Sequence, residues 1–205
     1  ASYRKGFIDK KILLKLSKGE DEIAALAIPL NSNKILEKLF SKLIDNLDYN
    51  NGHIKAASAV GILRINNDNK KARTILNDFL DVKDEETTAL ALDYLKTSSE
   101  LLPKNTLYKL LSHRSVNISI AALNVAGNRL DEYYLPAIIS NLGNVKIAQK
   151  ARTVLRLYDD MSVINALKGQ LRDNGTPLNL SIGIVRCFSS YPQADSVSIL
   201  RSQLS

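Results

Sequence analysis

The sequence has few of the residues that build catalytic and metal sites. Among its 205 residues are one cysteine, two histidines and no tryptophan. One cysteine excludes an internal disulfide, and His53 and His113 lie far from each other and from any Cys cluster, so they supply no zinc ligand set. Glycine-rich phosphate loops and Gly-x-Ser-x-Gly nucleophile motifs are missing too. We therefore expect no enzymatic activity, no metal and no cofactor.

Long apolar runs are also missing. Lys, Asp, Asn or Arg interrupts every apolar stretch well short of the ~18 residues of a membrane span. The start of the chain carries no basic segment leading into an apolar one, as a signal peptide would. Because the first residue is Ala1 rather than Met, the chain was either processed or cut from something longer, and we expect a fragment of a longer protein. The single cysteine favours a reducing compartment, so we expect a cytoplasmic location.

What the chain does contain is enough apolar material for a sizeable core. Hydrophobic residues make up 45% of the sequence, and 28 Lys and Arg against 21 Asp and Glu give a net charge of +7. An excess of this size favours acidic partners, nucleic acid or an anionic membrane surface.

Two interleaved series of residues recur at intervals of about 29 to 34 residues, which is the mark of a repeat protein. One series closes the first helix of each unit: Leu16, Leu47, Leu80, Leu111, Leu142, Leu171 and Leu204. The other begins the packed face of each second helix: Ala25, Ala56, Thr88, Ala122, Ala151 and Ser181. Stretches of alternating apolar and polar residues, typical of strands, do not occur.

These series predict an all-α fold, a right-handed α-solenoid of about six helix pairs plus a final unpaired helix, forming one domain over residues 1–205. Each pair has an apolar face that only its neighbours cover. The predicted units are residues 7–30, 34–65, 70–97, 104–129, 131–158 and 160–190, with a half unit at 193–205.

Within most predicted second helices an apolar residue follows the small residue by four positions, on the same helical face. These apolar residues are Val60, Leu92, Ala126, Leu155 and Val185. Gly61 and Gly127 come one position later in two units. Because glycine inside a helix costs about 1 kcal/mol relative to alanine, its reuse at one register predicts close helix packing there.

Residues 144–155 (NVKIAQKARTVL), with the preceding helix at 135–142 (LPAIISNL), resemble the short HEAT-like repeat of the phycobilisome-lyase type. Lys146 stands where Arg is commoner in that family. The resemblance implies a helical repeat array that serves as a binding scaffold, and implies no particular activity. Bilin-attaching lyases share the repeat type, but no residue here distinguishes them.

A shorter resemblance lies near the end of the chain. Residues 177–186 (PLNLSIGIVR) and 198–204 (SILRSQL) are similar to the last repeats of a HEAT-like region fused to bacterial nucleotide-transporter-like membrane proteins. This resemblance implies a cytoplasmic domain tethered to the inner membrane through segments outside this chain. Residues 3–5 (YRK) would then follow a membrane helix, in keeping with the positive-inside tendency.

The predicted second helix of the fifth unit is the most informative surface. On a helical wheel its apolar residues share one arc, and four cations lie on the opposite side. We predict that these four, joined by Arg186 and by Lys55 or Arg64 of other units, contact an acidic partner. The four are Lys146, Lys150, Arg152 and Arg156.

Two functions are consistent with these features. The first is a non-catalytic scaffold that binds a protein or peptide on its concave face. The alternative is a HEAT-like domain that grips the nucleic-acid backbone through its cations, as some DNA glycosylases do. The absence of tryptophan, with only 6% aromatic residues, disfavours the glycosylase chemistry itself.

Overall fold

The computed structural model describes residues 9–173 and 175–191. Within these residues the chain forms α-helices and short 3₁₀ turns and contains no β-strand. The prediction of an all-α fold is confirmed for this part of the protein. None of the described helices is both long and apolar enough to cross a bilayer.

Helices begin where the sequence places a polar capping residue. At these positions a side-chain oxygen accepts a hydrogen bond from a backbone N–H of the first turn, which otherwise has no partner. The residues that cap in this way are Asp9, Asp21, Asn51, Asn69, Asp84, Ser115, Asn144 and Asp159.

The chain divides into two compact units, one ending at Leu102 and one starting at Pro103. Helices of the first unit are α1 (Lys10–Leu16), α2 (Glu22–Ala27), α3 (Asn33–Lys38), α4 (Phe40–Asn46), α5 (Gly52–Ile65), α6 (Lys70–Leu80) and α7 (Glu85–Leu95). Those of the second are α8 (Lys104–Leu111), α9 (Val116–Arg129), α10 (Leu135–Ser140), α11 (Val145–Leu155), α12 (Asp160–Arg172) and α13 (Leu178–Phe188). The prediction of a single domain stays a prediction.

In the N-terminal unit the helices pack as three pairs. Helix α1 contacts α2, α4 contacts α5 and α6 contacts α7, while α5 also packs along both α2 and α7. The predicted first helix of the second pair is interrupted at Leu39, which separates α3 from α4. The small residues Ala25, Ala56 and Thr88 are fully buried, so in this unit they mark the packed face as the sequence predicts.

The C-terminal unit repeats this arrangement over its first four helices. Helix α8 contacts α9, α10 contacts α11, and α9 packs along α11. Ala122 and Ala151 are fully buried. The Tyr158 hydroxyl, just beyond α11, donates a hydrogen bond to the Ala126 carbonyl of α9 at 3.1 Å. This bond ties one pair to the next.

The two helical glycines at equivalent positions both lie in tight contacts. A Cβ on Gly61 would lie 3.2 Å from Cγ2 of Ile28 and 3.3 Å from Cδ1 of Leu43. A Cβ on Gly127 would lie 3.2 Å from Cδ1 of Leu157. These distances confirm the close packing that the two glycines predict.

The last pair departs from the predicted register. Ser181 is half-buried and Val185 is 36% exposed, so the predicted packed face of α13 is wrong. The buried side is instead formed by Leu180, Gly183 and Ile184. Gly183 lets α13 approach the 3₁₀ turn Asn141–Gly143, against which α13 packs more extensively than against any other element.

Some predictions fall on residues that the structure does not describe. These are the half unit at 193–205 with Leu204, the end of the shorter resemblance at 198–204, and the membrane-proximal residues 3–5. They lie outside the described residues.

Candidate partner-binding groove

Helix α11 has a buried side and a cationic side. Its apolar residues are buried as predicted: Ile147, Ala148, Ala151, Val154, Leu155 and, beyond the helix end, Tyr158. The other side carries Lys146, Lys150, Arg152 and Arg156, which we call the cationic face. Lys146 and Arg156 are exposed, whereas Lys150 and Arg152 are half-buried.

A groove of about 270 Å³ lies beside this helix, between the start of α11 and the outer side of α13. Its α11 wall includes Val145, Ala148 and Arg152, and its α13 wall includes Asn179, Ile182 and Arg186. In each wall the three residues are spaced i, i+3 and i+7, so they lie along one side of their helix. The groove follows from the way α13 packs on the 3₁₀ turn instead of lying along α11 as α9 does.

The groove is largely apolar at its start and basic at its end. Val145 is 91% exposed and Ile182 is 44% exposed, so each wall presents an apolar β-branched side chain to solvent. Arg152 and Arg186 occupy the last of the three positions in their walls. No lining residue is acidic.

The arginines of this region have no carboxylate partner within ion-pair distance among residues 9–173 and 175–191. Arg152 donates through Nη2 to Oε1 of Gln149 at 2.8 Å, and Arg156 donates through Nη2 to the Ser190 hydroxyl at 2.9 Å. The ion pairs observed in the described chain involve other residues. Within the described residues, no ion pair therefore neutralises the positive charges of Arg152 and Arg156.

Of the cations singled out by the sequence, the structure brings two together at the groove, Arg152 and Arg186. Lys146, Lys150 and Arg156 lie on α11 or at its end but do not line the groove. Lys55 and Arg64 belong to the N-terminal unit, where Arg64 donates to the Pro29 carbonyl at 2.8 Å and to Oδ1 of Asn33 at 3.0 Å. Arg64 thus joins two helix pairs of its own unit.

The apolar part of the groove is not evident from the sequence. Ile182 lies in the run LSIGIV, where every apolar residue is a plausible core residue, and Val145 occupies the first position of α11. The one feature of the sequence that indicates this apolar surface is Val145, an apolar residue that falls outside the apolar arc of α11.

Other reactive groups near the groove are enclosed. Cys187 of α13 is buried, and this burial raises the pKa of its thiol to about 11, although the nearby Arg152 and Arg156 lower it in part. No group of three or more His, Cys, Asp or Glu side chains that suits a metal ion occurs in the described part of the chain. The arrangement is suited to hold carboxylates beside apolar side chains.

Comparisons with known proteins leave the family open. No protein-family model matches the chain, and no curated protein matches it. Among solved structures it is similar to the crystal structure of an engineered protein, with 16% identity and a TM-score of 0.45 over 88% of this chain and 97% of the other.

Proposed function

We propose that the chain is a HEAT-like α-solenoid that acts as a non-catalytic scaffold and binds an acidic protein segment through the cationic face. The packed helix pairs support the repeat architecture, because α5 packs along α2 and α7 in one unit and α11 packs along α9 in the other. Within each unit, successive second helices as far as α11 therefore pack against one another, as the repeat model requires.

The observation that carries the binding proposal is the set of unpaired cations on one helix. Four positive side chains lie on the outer side of α11, and none of them forms an ion pair within the described residues. Like charges this close repel one another, so a purely structural helix would gain from interspersed acids. An acidic partner removes this repulsion and gains charge-assisted hydrogen bonds.

Reversal of these charges tests the proposal. Lys146, Lys150, Arg152 and Arg156 are all changed to Glu, and binding of a fluorescent, glutamate-rich peptide is followed by polarisation. The matched control reverses four exposed lysines of the N-terminal unit: Lys15, Lys18, Lys34 and Lys38. Both variants have the same net charge, so general electrostatic attraction changes equally.

We expect the α11 variant to lose at least about tenfold in affinity, which corresponds to ~1.4 kcal/mol, and the control to lose much less. Equal losses in the two variants contradict a specific surface. A duplex DNA probe, titrated at several salt concentrations, examines the alternative of nucleic-acid binding. Retardation of DNA with a steep salt dependence, lost in the α11 variant, would favour that alternative.

A further inference from the structure

The groove beside α11 adds a chemical requirement that the cationic face alone does not impose. A surface of lysines and arginines attracts any acidic chain with little regard to its other residues. The groove also exposes Val145 and Ile182 to solvent and places Ala148 between them and Arg152. A partner that covers these apolar side chains gains more binding free energy than one that leaves them exposed to water.

The size of the groove limits what it holds. At about 270 Å³ it lies just below the ~300–1,000 Å³ typical of pockets for drug-sized ligands. One or two side chains of a longer polypeptide fill a space of this size, with the rest of the segment lying outside. The groove is therefore better suited to anchor a peptide than to enclose a free small molecule.

The charge of the groove selects the polar part of its ligand. Arg152 and Arg186 project from opposite walls, and neither has a carboxylate partner within the described chain. A guanidinium binds a carboxylate through two parallel N–H donors, which makes the pairing directional as well as favourable. A carboxylate at the basic end of the groove can therefore pair with Arg152 of one wall and Arg186 of the other.

The walls are held in place before a partner arrives. Nδ2 of Asn179 donates to the Gly143 carbonyl at 2.9 Å, across the foot of the groove. Gly183 brings α13 into contact with the main chain of Leu142. Because the two walls are already in contact, the backbone of the groove needs little ordering on binding, which lowers the cost of association.

From these observations we infer that the groove between α11 and α13 is an anchor site for an acidic peptide segment in which an apolar residue lies next to a carboxylate. The carboxylate pairs with Arg152 and Arg186, and the apolar side chain covers Val145, Ala148 and Ile182. The inference rests on the proposed function, since it names the partner chemistry of the same surface.

Three peptides of equal length test this pairing without altering the protein. The first carries two Glu residues around a Leu-Phe pair; the second replaces both Glu by Gln; the third keeps Glu but replaces Leu and Phe by Ser. Titration calorimetry with the full chain measures each affinity. We expect the first peptide to bind at least about tenfold more tightly than either of the others.

Variants of the groove then locate the contact. Arg152→Gln and Arg186→Gln are each expected to lower the affinity for the first peptide about tenfold. Neither should change the affinity for the peptide in which Gln replaces Glu. Ile182→Ser is expected to weaken the first peptide and not the Ser peptide. Val185→Ser, on α13 outside the groove, and Lys109→Gln, an exposed lysine of α8 outside both the groove and the cationic face, are the matched controls and should have smaller effects.

The outcomes separate the two proposals. If the Ser peptide binds as tightly as the first, the anchor site is wrong while binding of acidic segments by the cationic face stands. If Lys109→Gln weakens binding of the first peptide as much as Arg152→Gln does, the groove is again excluded. If no acidic peptide binds, or duplex DNA is preferred to all three, both proposals fail.

Discussion

Gly183 of α13 lies so close to the main chain of Leu142 that a Cβ at this position would fall 2.2 Å from the Leu142 carbonyl oxygen and 2.7 Å from its carbonyl carbon. Side-chain rotation cannot relieve such a contact, because both partners are backbone atoms. The position therefore requires glycine, and the contact sets where α13 lies against the 3₁₀ turn Asn141–Gly143. The position of the α13 wall of the groove therefore depends on this contact.

Gly183→Ala is expected to lower the free energy of unfolding by about 2 kcal/mol. Overpacking of this kind costs ~1–3 kcal/mol, and the gain in helix propensity offsets at most ~1 kcal/mol of it. Urea denaturation followed by circular dichroism measures the change. Gly169→Ala in α12 is the control, since a Cβ there meets nothing within 4 Å; it should raise stability by ~0.5–1 kcal/mol. Two variants of equal stability would show that α13 does not depend on this approach.

Tyr158 and Tyr191 are both buried tyrosines that follow a second helix, yet their hydroxyls differ. The Tyr158 hydroxyl bonds to the Ala126 carbonyl, whereas that of Tyr191 is buried without a hydrogen-bond partner among the described residues. Tyr158→Phe should therefore cost about 1 kcal/mol of stability. Tyr191→Phe should be neutral or stabilising, because it removes a buried hydroxyl that has no hydrogen-bond partner among the described residues. Thermal denaturation of the two variants distinguishes them, and a larger loss for Tyr191→Phe would contradict the assigned hydrogen bonds.

Alkaline pH should destabilise the chain through Tyr94. Burial raises the pKa of this hydroxyl to about 12, and Glu22 and Asp93 act in the same direction. Because the pKa in the unfolded chain is near 10, the folded state binds the proton more tightly than the unfolded one. The resulting stability is fully present below pH ~10 and is lost as pH rises toward 12.

Tyr94→Phe removes this titration, so its stability should fall less steeply than that of the unaltered chain between pH 10 and 12. Denaturation midpoints measured across that range provide the check. Tyr133→Phe is a suitable comparison, since Tyr133 is 47% exposed and its hydroxyl donates to the neutral Asn105 side chain on the surface. A slope that Tyr94→Phe does not alter would place the alkaline sensitivity elsewhere.

The helix pairs could be predicted from sequence because the information is local. Small residues such as Ala56 and Ala151, capping residues such as Asn51 and Asn144, and the spacing of the leucines each act within one helix or one turn. The structure buries Ala56 and Ala151 and places Asn51 and Asn144 at helix N-caps, as expected. The interruption between α3 and α4 at Leu39, by contrast, could not be predicted, because no glycine or proline lies there.

The register of α13 could not be predicted because it depends on a distant partner. Ser181 and Gly183 are both small, and each begins a plausible apolar face in the run LSIGIV. The contact with the Leu142 main chain fixes the register, because only a residue without a Cβ, Gly183, fits at the point of closest approach. For the same reason the sequence identified the cations of α11 but not the groove, since the groove exists only once α13 has docked on that turn.

The repeat array itself is tested most directly by small-angle X-ray scattering of the chain in solution. A compact globule of 205 residues has a radius of gyration of about 17 Å. Six helix pairs stacked at about 9–10 Å per pair extend for roughly 55–60 Å and give a radius of gyration of about 20 Å or more. The proposed α-solenoid predicts the larger value, and a monomer with a radius of gyration near 17 Å would contradict it.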